Sequence, residues 1–126
     1  MFYTIRDIPH SQQRLLSEVG DYRIYDESIH IKVSSMCNEN FEFLVGIHEL
    51  IEAYLTKKRG IPEPSILAFD IEFALSDKEG EAGDDPEAPY HEEHKFATKI
   101  EMQVCDELGL SWDDYSARCD EIAREN

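Results

Sequence analysis

Apolar positions recur along this chain with two different periods. In SIHIKVS, residues 28 to 34, Ile29, Ile31 and Val33 alternate with His30, Lys32 and Ser34. That two-residue period is the mark of a strand with one face on a core, and it turns His30 away from the isoleucine side. Tyr22 to Tyr25 read as a partner strand, and Asp26 and Glu27 between the two runs read as the turn of a hairpin. No element is assigned to the short segment before Asp21. From about Glu39 to Lys58 the period changes to about 3.6 residues, with Leu44, His48, Ile51 and Leu55 on one stripe and Glu52 beside His48 on its edge. Asn38 to Asn40 supply capping oxygens, Lys57, Lys58 and Arg59 suit the negative end of the helix dipole, and Gly60 is a stop.

The stretch IPEPSILAFDIEFALS opens on a turn at Pro62 and Pro64. Ile66, Ala68 and Asp70 alternate, whereas Ile66, Phe69 and Phe73 keep helical spacing; a short helix is the preferred reading. Asp77 to Tyr90, rich in Gly, Pro and acids, reads as a long surface loop that delivers the chain to His91. A further helix, from about Glu87 or Tyr90 to Leu108, carries Ala97, Ile100, Val104 and Leu108 on its core stripe and ends at Gly109. Ser111 then caps a last helix, with Asp114 at its third position and Trp112, Tyr115, Cys119 and Ile122 at helical spacing. Phe96, Trp112 and Tyr115 are expected in the core rather than on a binding platform. The fold class is α+β: an N-terminal β-hairpin or small sheet followed by three to four helices, in one domain.

Composition narrows the function. Hydrophobic residues make up 41% of the 126 positions, enough core material to exclude a disordered chain. Twenty-eight acidic against twelve basic residues give a formal charge of −16, which repels nucleic acid phosphates and argues against direct DNA binding. The same charge suits a cation-binding protein, a basic protein partner, a surface that imitates DNA, or simple solubility. No signal-peptide pattern and no apolar run of about 18 residues is present, so a cytosolic protein without a membrane span is expected. Cys37, Cys105 and Cys119 are odd in number and far apart, matching neither a zinc knuckle nor a disulfide framework.

The chemistry centres on His48 and Glu52. Four residues apart on a helix, they project in one direction and can reach one ion. A histidine and a carboxylate turned toward a core need partners, because an unpaired buried polar group costs roughly 1–3 kcal/mol. His91 and His94, three apart in YHEEHKF, can supply them, completing a nitrogen-and-oxygen set that zinc accepts. The alternative for this second pair is a solvated first turn in which Glu92 and Glu93 favour the helix dipole.

A strand hairpin followed by a helix bearing His48-Glu49-Leu50-Ile51-Glu52 resembles the core of zincin-like metallopeptidases, whose helix carries HExxH. The resemblance spans about Tyr22 to Arg59, and Glu52 stands where the family has its second histidine. It implies a zinc ion held by His48 and Glu52, with Glu49 as general base acting on a water at the ion. It also implies a third ligand from later in the chain: His94 or His91, with Asp70 a weaker candidate. Hydrolysis of an amide or a phosphoester would follow. The pair Glu49 and Glu52 is also similar to the acidic helices of all-α nucleotide pyrophosphohydrolases, but Glu101 and Asp106, five apart, diverge around their helix and do not provide the second acidic motif. A function of another class is an acidic, non-enzymatic adaptor, a nucleic-acid mimic of bacterial or phage origin, with its charge concentrated in the loop from Asp77 to Glu93 and in the last helix.

Overall fold

Three strands precede four helices in the computed structural model, which describes residues 1–124. They are β1 (Phe2–Ile8), β2 (Gly20–Tyr25), β3 (Ser28–Ser34), α1 (Glu39–Lys58), α2 (Glu63–Leu75), α3 (His91–Glu107) and α4 (Trp112–Arg124), with short 3-10 turns at His10–Gln12 and Ala82–Asp84. The expected α+β order is present, with one strand more than the hydrophobic pattern assigns. β3 lies in the middle of the sheet, antiparallel to β2 through the expected hairpin and parallel to β1, with Phe2 opposite Ser28 and Ile8 opposite Ser34. FYTIRDI escapes a two-period reading because β1 is an edge strand: Phe2, Tyr3 and Ile5 are all exposed, and burial reaches the strand only at Ile8.

The inner face of β3 forms the heart of the core. Ile29, Ile31 and Val33 are fully buried, as is Leu44 of α1. The outer face is polar, and there His30 sits between Thr4 Oγ1 at 2.6 Å and Ser28 Oγ at 2.9 Å. α1 begins where Asn38 Oδ1 accepts the amide of Phe41 at 3.1 Å, and the chain leaves it through Gly60 at φ 69°, a left-handed turn that favours glycine. The helix buries a broad arc rather than one narrow stripe. Val45 lies against Gly20 of β2, and Gly46, lacking a side chain, lets Ile5 and Val33 approach. His48 and Glu52 turn instead toward α3. Ile51 and Leu55, expected on the core stripe, are therefore only half-buried.

α2 starts at the two prolines, as read from the sequence, and Glu63 Oε2 accepts the amide of Ile24 at 2.8 Å, covering part of the open edge of β2. Its buried Ile66 joins Ala88 and Tyr90 in a small separate cluster. That cluster corrects the expectation of a wholly superficial loop from Asp77 to Tyr90, since Ala82, Gly83, Ala88 and Tyr90 are all buried. The buried face of α3 is also turned relative to the expected stripe: Glu93, His94, Ala97, Glu101 and Cys105 are buried, Ile100 and Val104 half-buried, and Leu108 exposed. Phe96 is exposed rather than in the core. The cause is the partner, because α3 packs on the side of α1 that carries His48 and Glu52, so its polar residues face inward. α4 is capped as expected, Ser111 Oγ accepting the Asp114 amide at 3.2 Å, and it buries Tyr115 and Ile122. No helix among the described residues is long and apolar enough to cross a membrane.

Ile31→Ala should destabilise the protein by about 2–5 kcal/mol through the cavity it leaves. Asn38→Ala should cost about 1 kcal/mol through the lost cap. Urea unfolding monitored by circular dichroism measures both, and an Ile31→Ala cost no greater than that of Asn38→Ala would contradict the central place of β3.

Candidate metal centre

The interface of α1 and α3 closes around three atoms. His48 Nε2 lies 3.0 Å from Glu52 Oε2, Glu52 Oε2 lies 2.9 Å from His94 Nδ1, and the two ring nitrogens are 3.1 Å apart. All three side chains are buried. α1 supplies His48 and Glu52 one turn apart, and α3 supplies His94, 46 residues beyond His48 in the chain. Lone pairs gathered this closely repel unless protons or a cation lie among them. A tetrahedral zinc with bonds of about 2.0–2.1 Å places neighbouring ligand atoms about 3.3 Å apart, so the three atoms need to open by only a few tenths of an ångström to receive one. Two imidazoles and a carboxylate fit that ion by chemistry as well as by spacing.

A surrounding set of carboxylates orients the two rings. Glu101 Oε1 accepts from His48 Nδ1 at 2.7 Å, and the Tyr115 hydroxyl donates to Glu101 Oε2. Glu101 can only accept here, which keeps a proton on His48 Nδ1 and leaves Nε2 as the nitrogen turned to Glu52 and His94, donating to Glu52 when no cation is present. His94 is held the opposite way round: Nε2 faces Glu81 Oε2 at 3.0 Å and Asp84 Oδ1 at 3.1 Å, leaving Nδ1 for the centre. The 3-10 turn reaches the ring because residue 83 is glycine, where a Cβ would lie 2.3 Å from His94 Cγ and 2.4 Å from Nδ1.

Electrostatics follow the same pairs. Burial disfavours charge on His48, but its hydrogen bonds to Glu101 and Glu52 outweigh burial and hold its pKa well above the ordinary histidine value. Burial is likewise outweighed at His94, where Glu52 and Glu81 raise the pKa to about 10. Glu52 is driven upward by burial and downward, more strongly, by its two imidazoles, to about 2. Glu49 points elsewhere on α1, toward Gly20, and burial followed by the charge of Glu52 pushes its carboxyl well above the usual range.

Of the residues singled out from sequence, His48, Glu52 and His94 come together. His91 does not join them. Three residues before His94, its ring turns to the 3-10 turn, where Nδ1 donates to the Gly83 carbonyl at 2.9 Å, so it serves the loop that packs on His94. Asp70 lies outside the triangle and accepts from the Tyr90 hydroxyl. Glu101, Tyr115, Glu81 and Asp84 are functional candidates that sequence reasoning missed. Glu101 alone carried a usable signal, since it stands two helical turns after His94 and shares its face. Comparison of the chain with protein families, curated proteins and solved structures finds no match.

Two outcomes test this geometry. Glu52, at about 2 against an ordinary 4.5, adds stability that is complete above pH 4.5 and is lost as pH falls toward 2. His94, at about 10 against 6.5, adds stability that is complete below pH 6.5 and is lost as pH rises toward 10. Calorimetry of the metal-free protein should show its highest melting temperature between those limits, and a flat profile from pH 6.5 to 10 would sink the His94 pairing. Gly83→Ala should move the His94 imidazole resonances in NMR spectra and cost about 1–3 kcal/mol of stability through overpacking.

Proposed function

We propose that the chain binds one divalent ion, zinc, through His48 Nε2, His94 Nδ1 and Glu52 Oε2, and that the loaded centre hydrolyses an amide or phosphoester bond. The observation that carries this reading is the buried triangle of two nitrogens and one oxygen with edges of 2.9 to 3.1 Å. Three protein ligands leave a fourth position open, the arrangement of catalytic rather than structural zinc. When bound, the ion supplies Lewis acidity and brings the pKa of water close to seven.

The chain's own residues supply the rest. Glu101 and Tyr115 keep His48 in its ligating tautomer, and Glu81 and Asp84 do the same for His94. The likeness to the zincin-like helix makes Glu49, next to His48 and without a hydrogen-bond partner among the described residues, the general base: its carboxyl, which rests against Gly20, turns to the open side of the centre, accepts a proton from the attacking water and returns it to the leaving group. The likeness of His48-Glu49-x-x-Glu52 to the zincin-like helix fits this assignment, with His94 as third ligand. A cytosolic setting belongs to the same reading and agrees with three free cysteines.

Elemental analysis of tag-free protein by plasma mass spectrometry should find close to one zinc per chain, and His48→Ala or His94→Ala should abolish it. Glu49→Gln should keep the zinc and lower hydrolysis by roughly 10²–10⁴-fold in a screen of peptides and phosphoesters. A wild-type protein that contains no zinc and takes up none on dialysis ends the proposal.

A further inference from the structure

The outer face of the sheet, across β3 from α1, gathers cations that the chain's own acids leave alone. Strand alternation and the register put Phe2, Ser28 and Tyr25 in one row, Thr4, His30 and Arg23 in the next, and Arg6, Lys32 and Asp21 in the third. Arg6 thus stands directly opposite Lys32, with Arg23 diagonal to Lys32, and like charges so placed weaken a sheet. Twenty-eight acids against twelve bases make a counter-charge easy to supply. Yet among the described residues Arg6, Arg23 and Lys32 form no ion pair. Asp21, the acid opposite Lys32, instead accepts from Arg14 and from the Tyr22 amide, both at 2.9 Å.

The face is also hollowed. A groove of about 470 Å³ is walled by Arg6, Lys32, Arg23, His30 and Tyr25, within the size range of small-ligand sites. A smaller hollow of about 80 Å³ shares Lys32, Arg23 and His30 with it and reaches Arg14, whose Nε is buried without an acceptor. A buried donor left unpaired beside free cations awaits an anionic oxygen. The other end of the face is aromatic: Phe2 and Tyr25, both exposed, stand edge-on to the His30 ring at 6.0 and 5.4 Å. Thr4 and Ser28 hold both nitrogens of that ring, which makes it a fixed wall between the two ends. Four residues of strand, roughly 13 Å, separate the aromatic row from the cationic one. Asp26 and Glu27 of the hairpin turn flank the aromatic end and repel phosphate from it.

We propose that this face binds a free nucleoside polyphosphate, its phosphates on Arg6, Arg23 and Lys32 and its base against Phe2 and Tyr25. The guanidinium fork matches phosphate oxygens, and an exposed aromatic ring offers a base a stacking surface. The net charge of −16 repels a long polyanion beyond the patch, which favours a short ligand over a nucleic-acid strand. The site lies on the side of the sheet away from α1 and stands whether or not the histidine centre binds zinc.

Calorimetric titration of the protein as purified with ADP, without magnesium, should show one site per chain that weakens as salt rises. Arg23→Gln and Lys32→Gln should each weaken it at least about tenfold. Lys99→Gln, which removes an exposed cation of α3 that is equally unpaired among the described residues, should leave it unchanged. In NMR spectra of the wild-type protein, ADP should shift the ring signals of Phe2 and Tyr25 and leave those of His48 and His94 in place. No binding, binding that survives both substitutions, or unmoved Phe2 and Tyr25 signals overturns the proposal. Pyrophosphate bound as tightly as ADP, or a single-stranded oligonucleotide bound more tightly through the same residues, overturns the assignment of a free nucleotide.

Discussion

The joint between α1 and α3 has to satisfy its own charges, and much of the architecture is arranged around that requirement. Water cannot reach His48, Glu52, His94 and Glu101 in quantity, so each must find its partner within the protein. The pairings run His48 with Glu101 and Glu52 with His94, which sets the two helices antiparallel and fixes their relative register. α4 is tied to the same network through the Tyr115 hydroxyl, and the 3-10 turn of residues 82 to 84 through Asp84. Removing one member of such a buried set leaves the others unpaired, a cost of about 3–5 kcal/mol for a broken ion pair. Structural support and site geometry therefore rest on the same atoms.

The sheet is the platform that lets this joint form. β3 presents an entirely apolar inner face to α1, and with Leu44 fully buried there the following turns of the same helix carry His48 and Glu52 toward α3. Two glycines then bring backbone close to site side chains, Gly20 against Glu49 and Gly83 against the His94 ring. Both positions would push a site residue aside if they carried a Cβ. The loop between α2 and α3 is long because it must cross the first turn of α3 and leave Glu81 and Asp84 at the outer nitrogen of His94.

Legibility from sequence followed burial on one face. β3, with one side on the core and one toward solvent, shows its period plainly, and α1 and α4 carry caps that mark their ends. β1 was invisible because its side chains are exposed on both faces, and what makes it a strand is pairing to β3, about 26 residues away. The stripe on α3 was misplaced for a related reason. A rule that sends apolar residues inward chose Ile100, Val104 and Leu108, whereas the helix buries Glu93, His94 and Glu101 against the polar side of α1.

His48, Glu49 and Glu52 were recognisable because helical spacing is local: four residues along one helix always share a side. The same rule grouped His91 with His94, yet could not say which ring would face α1, since both lie on the first turn of α3 and the choice depends on what packs there. The sequence by itself determined the order of most elements, the apolar face of β3 and the pairing of His48 with Glu52, all set by interactions within a few residues. Only the tertiary structure decided that His94 rather than His91 completes the triangle, that Glu101 and Tyr115 stand behind His48, and that Glu81 and Asp84 meet the outer nitrogen of His94. Those contacts join residues tens of positions apart, and their energies belong to the packing of whole helices rather than to any local pattern.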